Sequence, residues 1–204
     1  MAGGGHLVTT YFSGVVDEND HVWLGGYPGA LRDLLGIRIE EFSPLLDDEC
    51  VNLENGTTGT LWSEHIDVTG DGVEVLLRRK DGGVAVTRRT VGTGSAAYVS
   101  TRLGPAGLTP LLADLLDRAG VRGDLPATLD GRVELGIRTG GGAEFWFLIN
   151  RTASPVEVPG VDGEVLHGER GSGPGQPVLL GPRGVAVLRR SGGAAVDEAE
   201  RGGR

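Results

Sequence analysis

The sequence predicts an α/β domain followed by a small antiparallel all-β domain. Glycine and proline together account for 47 of the 204 residues and interrupt the chain at short intervals. Short β-branched and apolar runs lie between these turns, which is typical of strands. Two segments, both within the first 122 residues, have the apolar spacing of a helix.

We place the α/β domain at residues 1–122 and the all-β domain at residues 123–190, with a break after the second helical segment. Residues 191–204 are rich in glycine, alanine and charge, so we predict a disordered tail there. A complete (β/α)₈ barrel needs about 250 residues and does not fit in a chain of this length.

The first elements are a strand, a helix and a second strand. The apolar and β-branched run His6–Phe12 predicts a buried strand. Pro28 suits the first position of a helix and Gly36 the residue after its end. The alternating residues from Ile37 to Phe42 then predict a strand.

Four consecutive strands and a longer helix complete the predicted first domain. The turn signals Gly70–Gly72, Asp81–Gly83 and Gly92–Gly94 separate the strand candidates 61–68, 73–79, 84–91 and 96–103, which we expect to pair as antiparallel neighbours. Thr109 is the expected N-cap of the helix, Pro110 its first residue and Gly120 its stop. The face expected to be buried consists of Leu111, Leu112, Leu115, Leu116 and Ala119.

Beyond the break, the spacing of turns predicts strands alone. The candidates are residues 132–139, 143–150, 156–158, 164–166, 178–180 and 185–189. Such a pattern over about 65 residues predicts a small antiparallel sandwich or barrel.

The charge distribution favours self-association over nucleic-acid binding. The net charge is −9, with 13 acids and 2 bases in residues 1–72 but 4 acids and 8 bases in residues 73–122. Nucleic-acid binders present clustered basic faces, so we expect no nucleic-acid partner. Opposite patches can meet across an interface between copies or between docked domains, although a solvated surface without a partner explains the pattern equally well.

The compartment and redox state are predicted from what the sequence lacks. No apolar run approaches the roughly 20 residues of a membrane span, and no signal segment opens the chain. Cys50 is the single cysteine, which excludes an intramolecular disulfide and a multi-cysteine zinc site. We therefore expect a cytoplasmic protein without a membrane partner.

The motifs that suggest chemistry are weak, and we predict no catalytic, cofactor or metal residues. The run Gly92–Ala97 has dinucleotide-binding spacing but precedes strand formers, so we interpret it as a hairpin turn. The loop from Asp17 to Asp20 lacks the glycine and glutamate of a calcium loop. The four histidines, which are His6, His21, His65 and His167, have no metal-binding spacing.

A cysteine, a glutamate pair and two sequons also lack the context that a function would need. Cys50 follows three acids, which disfavours a thiolate. Glu40 and Glu41 are adjacent in a strand and should face opposite sides, so they do not form a catalytic pair. The glycosylation sequons at Asn55 and Asn150 are formal matches in a chain with no mark of secretion.

Long segments of the sequence resemble the bacterial β-galactosidases of glycoside hydrolase family 42. The segment from Thr10 to Gly36 reads TYFSGVVDENDHVWLGGYPGALRDLLG and resembles their middle, trimerisation domain, as do residues 39–42 and 97–103. Residues 145–152 (FWFLINRT) and 184–188 (GVAVL) are similar to their small C-terminal β domain. The resemblance covers about residues 4–190.

The resemblance implies a fold and an assembly for this chain. In the family, a (β/α)₈ barrel carries the two catalytic glutamates of a retaining mechanism. The middle domain has a glutamine-amidotransferase-like α/β fold and packs the subunits into a trimer. The barrel and the first half of the middle domain have no counterpart here. Glu40 and Glu41 match a trimerisation-domain position, so no catalytic glutamate is carried over.

Our preferred hypothesis is a non-catalytic C-terminal fragment of a β-galactosidase whose own role is subunit association. It predicts no hydrolysis of lactose by this chain, and oligomerisation or low solubility because the strand edge at His6–Phe12 would lack a neighbour. The alternative is a carbohydrate-binding or other β-rich interaction module, with Trp23, Trp62 and Trp146 as stacking candidates. An amidotransferase-like enzyme using Cys50 is disfavoured by the acids around it.

Overall fold

The computed structural model describes residues 1–171 and 176–191, and the chain divides into two compact units, Met1–Val121 and Arg122–Arg204. Of the tail expected to be disordered, Ser191 ends the last strand, and residues 192–204 lie outside the described part. The regular secondary structure of the described residues is mostly strand, with few helices. No helix among them is long and apolar enough to cross a bilayer.

The first unit begins with a strand and contains two α-helices. Its elements in chain order are β1 (His6–Thr10), a 3-10 turn (Gly29–Leu31), α1 (Arg32–Leu35), β2 (Ile37–Pro44), β3 (Val51–Asn52), β4 (Thr58–Thr60), β5 (Trp62–Val68), β6 (Val73–Arg78), β7 (Val84–Val91), β8 (Gly94–Val99), β9 (Arg102–Leu103) and α2 (Pro105–Arg118).

Three sheets organise this unit. The largest has the order β1-β8-β7-β6, in which β1 runs parallel to β8 and the other pairs are antiparallel. β2 pairs with β5, and β3, β4 and β9 form a short third sheet. One apolar core contains Tyr27, Leu35, Ile37, Ile39, Ile66, Ala96 and Tyr98, and a second contains Leu53, Ala85, Val86, Val99 and Leu103.

Strand pairing differs from the expected run of four antiparallel neighbours. β6, β7 and β8 pair consecutively as predicted, with Gly92 and Thr93 forming the turn between the last two. β5 instead pairs with β2, which sets Ile39 opposite Ile66 in the core. The predicted fourth strand is divided into β8 and β9, which lie in different sheets.

The strand β1 is shorter and more exposed than predicted. It ends at Thr10, and its residues alternate between exposed and half-buried. Because β1 is at the edge of its sheet with β8 as its one neighbour among the described strands, its side chains pack on fewer partners than those of a central strand. By contrast, all six residues of β8 are buried.

The helix α2 begins earlier than predicted. Gly104 is its N-cap and Pro105 its first residue, so Pro110 lies inside the helix. The additional turn brings Leu108 against the second core. The end matches the prediction: Gly120 has a φ of 69°, and its N–H and that of Val121 bond to the carbonyls of Asp117 and Leu116 in a Schellman motif. Leu116 itself is exposed, contrary to the predicted buried face.

The second unit is built of antiparallel strands. They are β10 (Val133–Gly140), β11 (Ala143–Asn150), β12 (Val156–Val158), β13 (Glu164–His167), β14 (Glu169–Arg170), β15 (Val178–Leu180) and β16 (Val185–Ser191). The sheets β10-β11-β16-β13 and β12-β15-β14 enclose one core that includes Trp146, Leu148, Val158, Val178 and Leu188. All strands predicted here are present, and β14 was not predicted.

Candidate association surface

An exposed aromatic cluster lies beside the end of β1 in the first unit. We use the name aromatic surface for Phe12, Phe42, Leu61 and Trp62. The rings of Phe12 and Trp62 are 4.3 Å apart, and Phe42 lies 5.2 Å from Trp62 and 5.9 Å from Phe12. Phe12, Leu61 and Phe42 are 54, 48 and 41 % exposed, whereas Trp62 is half-buried. The three rings adjoin one another, and Leu61 precedes Trp62 in the chain. Exposed apolar side chains grouped in this way make a candidate interaction site.

Two of these exposed residues have a backbone conformation that bulky side chains avoid. Phe12 has a φ of 66° and Leu61 a φ of 64°. The left-handed conformation costs about 1–2 kcal/mol for a residue with a Cβ. Such residues persist where the surroundings hold them and are enriched at functional sites. Here the Phe12 N–H points to a carboxylate oxygen at 3.4 Å, and the Leu61 carbonyl accepts from the Leu45 N–H at 2.9 Å.

The carboxylate that holds Phe12 belongs to Glu64, a fully buried residue of β5. Its Oε1 also accepts a hydrogen bond from Trp62 Nε1 at 3.1 Å, and its Oε2 accepts from the Tyr98 hydroxyl at 2.7 Å. Glu64 is paired with Phe42 across the β2–β5 ladder. One buried acid therefore contacts Phe12 and Trp62 and lies opposite a third member of the aromatic surface.

Burial dominates the electrostatics of Glu64. Desolvation raises the pKa of its carboxyl group above the ordinary value, while the hydrogen bonds from Tyr98, Trp62 and Phe12 act in the opposite direction. Within the described residues, no arginine, lysine or histidine forms an ion pair with it. Burial and the nearby Glu64 carboxylate also raise the pKa values of the Tyr98 and Tyr27 phenols.

Tyr27 supports the aromatic surface from the inside. Its ring stacks on Phe42 at 4.6 Å with an interplanar angle of 29°. The side chain is buried, and its hydroxyl has no hydrogen-bond partner among the described residues. Phe42 is therefore held between a core tyrosine and the half-buried Trp62.

The glutamates considered from sequence, Glu40 and Glu41, are both exposed. A register shift between Ile39 and Glu41 places a bulge at this point of β2, so the strict alternation that we expected does not apply. Glu40 forms an ion pair with Arg38, and Glu41 lies opposite His65 of β5.

The residues examined for metal or thiol chemistry lie apart. No group of three histidine, cysteine, aspartate or glutamate side chains in the described part of the chain is placed to hold a metal ion. His6 bonds to Ser95 Oγ at 2.9 Å. Asp17 Oδ1 accepts from the Asn19 and His21 N–H groups and so closes the Asp17–Asp20 loop. Cys50 is exposed and free.

The three tryptophans are packed in different ways. Trp146 is buried, its Nε1 bonds to Glu144, and the Arg190 guanidinium lies 4.0 Å over its ring, so that ring is not available to stack on a sugar. Trp23 packs against the backbone of Gly29. Trp62 lies between Phe12 and Phe42 in the aromatic surface.

The two sequons have different surroundings. Asn55 is exposed, whereas Asn150 is 1 % exposed and its side chain makes four hydrogen bonds. Its Nδ2 donates to the Ser154 and Gly181 carbonyls, and its Oδ1 accepts from the Thr152 N–H and hydroxyl. Asn150 is therefore a structural residue of the second unit.

Glu64, Phe12 and Leu61 were not predicted as functional residues from the sequence. A signal for Glu64 was present, because it alternates with Trp62 and Ile66 on one face of β5 and so places a carboxyl group on an apolar face. No local pattern indicates that Phe12 and Leu61 have positive φ, since neither is a residue type that favours that conformation.

Comparisons with known proteins place this chain in a family. A model described as β-galactosidase trimerisation domain matches residues 1–122, and one described as β-galactosidase C-terminal domain matches residues 131–190. The chain belongs to the glycoside hydrolase family 42 β-galactosidases and comprises their trimerisation and C-terminal domains. The first of these domains supports oligomerisation in the family.

Individual relatives agree with this assignment. A β-galactosidase of an Arthrobacter species is 43 % identical over 177 residues, covering 84 % of this chain and 25 % of that protein. The β-galactosidase BbgII of Bifidobacterium bifidum is 38 % identical over 204 residues, covering 93 % and 29 %. The solved β-galactosidase from Bacillus circulans sp. alkalophilus has a TM-score of 0.75 at 29 % identity, covering 93 % and 29 %. The chain thus corresponds to under a third of the length of these relatives.

Proposed function

We propose that copies of this chain associate as a trimer and that the aromatic surface forms part of the contact. The match of residues 1–122 to a trimerisation domain supports association, and the exposed, conformationally held Phe12 and Leu61 support this location. The second observation carries the proposal, because residues in this conformation cluster at functional sites.

The energetics favour this surface as a contact. Burying a fully exposed phenylalanine or leucine side chain contributes about 1.5–3 kcal/mol, so the half-exposed Phe12, Leu61 and Phe42 each contribute about half of that. Their backbone and ring packing already hold them in place. Association therefore loses less conformational entropy than it would with mobile side chains.

Charge is also consistent with a cyclic trimer. In a ring of three copies each interface joins two different faces of the subunit. Residues 1–72, which include all of the aromatic surface, carry a net charge of −11, whereas residues 73–122 carry +4. Opposite net charges on two segments of one chain are compatible with attraction between unlike faces of neighbouring copies.

The wider role follows from the family and remains part of the proposal. We infer that the chain acts within a β-galactosidase that hydrolyses terminal β-D-galactosides, with the catalytic glutamates in a barrel outside these two domains. The first unit would then be part of a glutamine-amidotransferase-like α/β domain, for which the parallel pairing of β1 and β8 is supporting evidence. A cytoplasmic location is proposed on the same basis.

A matched pair of variants tests the association surface. Leu61 and Leu116 are both 48 % exposed, but Leu61 belongs to the aromatic surface and Leu116 lies on α2. The proposal predicts that Leu61→Ser weakens self-association at least tenfold, measured by sedimentation equilibrium, and that Leu116→Ser changes it little. Equal effects of the two substitutions, or a wild-type chain that remains monomeric, would contradict the proposal.

A further inference from the structure

Glu64 has a carboxyl group with 0 % exposure directly beneath the aromatic surface. Two of its three hydrogen bonds come from members of that surface, the Phe12 N–H and Trp62 Nε1. The third comes from the Tyr98 hydroxyl of β8. The protonation state of this carboxyl group is thus coupled, through direct hydrogen bonds, to the residues that we propose contact a second copy.

The groups around Glu64 leave its charge uncompensated. The titratable groups acting on it are the phenols of Tyr98 on β8 and Tyr27 in the loop before the 3-10 turn. Phe12, after β1, and Phe42, on β2, bring no charge. No cationic side chain of the described residues is ion-paired with Glu64, so a hydrogen-bond network alone stabilises the carboxylate.

We propose that association of copies on the aromatic surface takes up a proton at Glu64, so that this carboxyl group makes assembly sensitive to pH. The inference rests on the proposed function and deepens it. It assigns to Glu64 a regulatory role in assembly, and no contact with substrate.

The physical reason is desolvation. A second copy on the aromatic surface removes water from the groups above Glu64, and loss of water disfavours the charged form of a carboxyl group. Association therefore raises the pKa of Glu64 beyond the value in the free subunit. By linkage, a proton bound at Glu64 must then favour association by the same free energy.

The hydrogen bonds of the site are compatible with a protonated carboxyl group. Oε1 can continue to accept from Trp62 and Phe12, because it needs no proton of its own. The hydroxyl formed at Oε2 can donate to the Tyr98 oxygen. The Tyr27 hydroxyl has no hydrogen-bond partner among the described residues and interacts electrostatically with both Glu64 and Tyr98.

Because association raises the pKa of Glu64, the association constant should fall as pH rises. Association is strongest at low pH, where Glu64 is protonated in every state, and weakens as pH rises through its pKa in the free and then in the assembled subunit. One proton per interface changes the association constant by at most about tenfold per pH unit in that range.

The experiment compares wild type with Glu64→Gln and with Glu41→Gln, which removes the same charge from an exposed position. Association constants are measured by sedimentation equilibrium across the acidic to neutral range. We expect wild type and Glu41→Gln to lose affinity in parallel as pH rises. We expect the association constant of Glu64→Gln to stay near the high value that wild type has at low pH. Its slope against pH should be smaller than that of wild type by up to about tenfold per pH unit.

Each result bears on a definite claim. Parallel profiles for wild type and Glu64→Gln would overturn the proton linkage while leaving the association surface intact. A wild-type chain that is monomeric at every pH would overturn both proposals.

Tyr98→Phe provides an independent check. Loss of its hydrogen bond removes stabilisation of the Glu64 carboxylate and should move the pH at which association weakens to a higher value. A transition that stays in place or moves to lower pH would also contradict the linkage.

Discussion

The Tyr98 hydroxyl donates a 2.7 Å hydrogen bond to Glu64 Oε2, and both side chains are fully buried. This contact joins β5, in the two-stranded sheet, to β8, in the four-stranded sheet. Glu64 Oε1 extends the connection to Trp62 and Phe12 on the aromatic surface. The exposed cluster is thus tied to the core by one carboxyl group.

The stability of the chain should depend on pH through Glu64. Its folded-state pKa is raised above the ordinary value of 4.5, so the folded chain retains this proton to higher pH than the unfolded chain. The free energy of unfolding should therefore fall as pH rises from the ordinary value through the raised one. Glu64→Gln should remove this slope, as measured by urea unfolding followed through tryptophan fluorescence. An unchanged slope in that variant would show that Glu64 does not cause it.

At position 12 a glycine variant should be more stable than an alanine variant, which reverses the usual order of stability for these two residues. Because φ is 66°, Phe12→Gly relieves backbone strain that Phe12→Ala retains, and we expect the glycine variant to be more stable by about 1 kcal/mol. Exposed Val22, which has no positive φ, is the control, and there alanine should be the better substitute. Thermal unfolding of the four variants measures both differences. A more stable alanine variant at position 12 would refute the backbone account.

Gly29 should not tolerate a side chain. A Cβ built at this position would lie 2.1 Å from the Trp23 ring, so Gly29→Ala must displace that ring or the turn. We expect a loss of about 1–3 kcal/mol in unfolding free energy and a shift in tryptophan emission. Gly3→Ala is the matched control, because nothing lies within 4 Å of its added Cβ. Equal stability of the two variants would show that Trp23 does not pack as described.

The two sequon asparagines should differ in their response to the same substitution. Both accept hydrogen bonds from the N–H and hydroxyl of the threonine two residues later, but Asn150 also donates two 2.7 Å bonds to the Ser154 and Gly181 carbonyls. Asn150→Asp loses both donors and places a carboxylate beside carbonyl oxygens, which should cost about 2–4 kcal/mol. Asn55→Asp should cost under about 0.5 kcal/mol. Chemical unfolding of the two variants gives the comparison, and a tolerated Asn150→Asp would contradict it.

Local patterns in the sequence predicted where many strands and helices lie, but they predicted few of the strand pairings. The bounds of β7, β11, β12 and β15 match the prediction, because turn residues flank apolar runs at each of them. The start of α2 was misplaced, because Pro105 and Pro110 give the same first-turn signal and the packing of Leu108 distinguishes them. Local residues could not show that β5 pairs with β2 across a long stretch of chain.

The candidate site was harder to predict for the same reason. The burial of Glu64 depends on Tyr98, 34 residues away, and on the pairing of β5 with β2. The exposure of Phe12 depends on the backbone turning left-handed immediately after β1. The resemblance to the trimerisation domain predicted association, but it did not indicate the surface.

Photocrosslinking from position 12 tests the central claim most directly. Phe12 is replaced by p-benzoylphenylalanine, which is similarly apolar and forms bonds to groups in contact with it, and position 116 receives the same residue as a control. We predict that light converts the 21.2 kDa chain with the probe at position 12 into covalent dimers and trimers, and that the control gives far fewer. Equal crosslinking at the two positions, or none between copies at position 12, would contradict association through the aromatic surface.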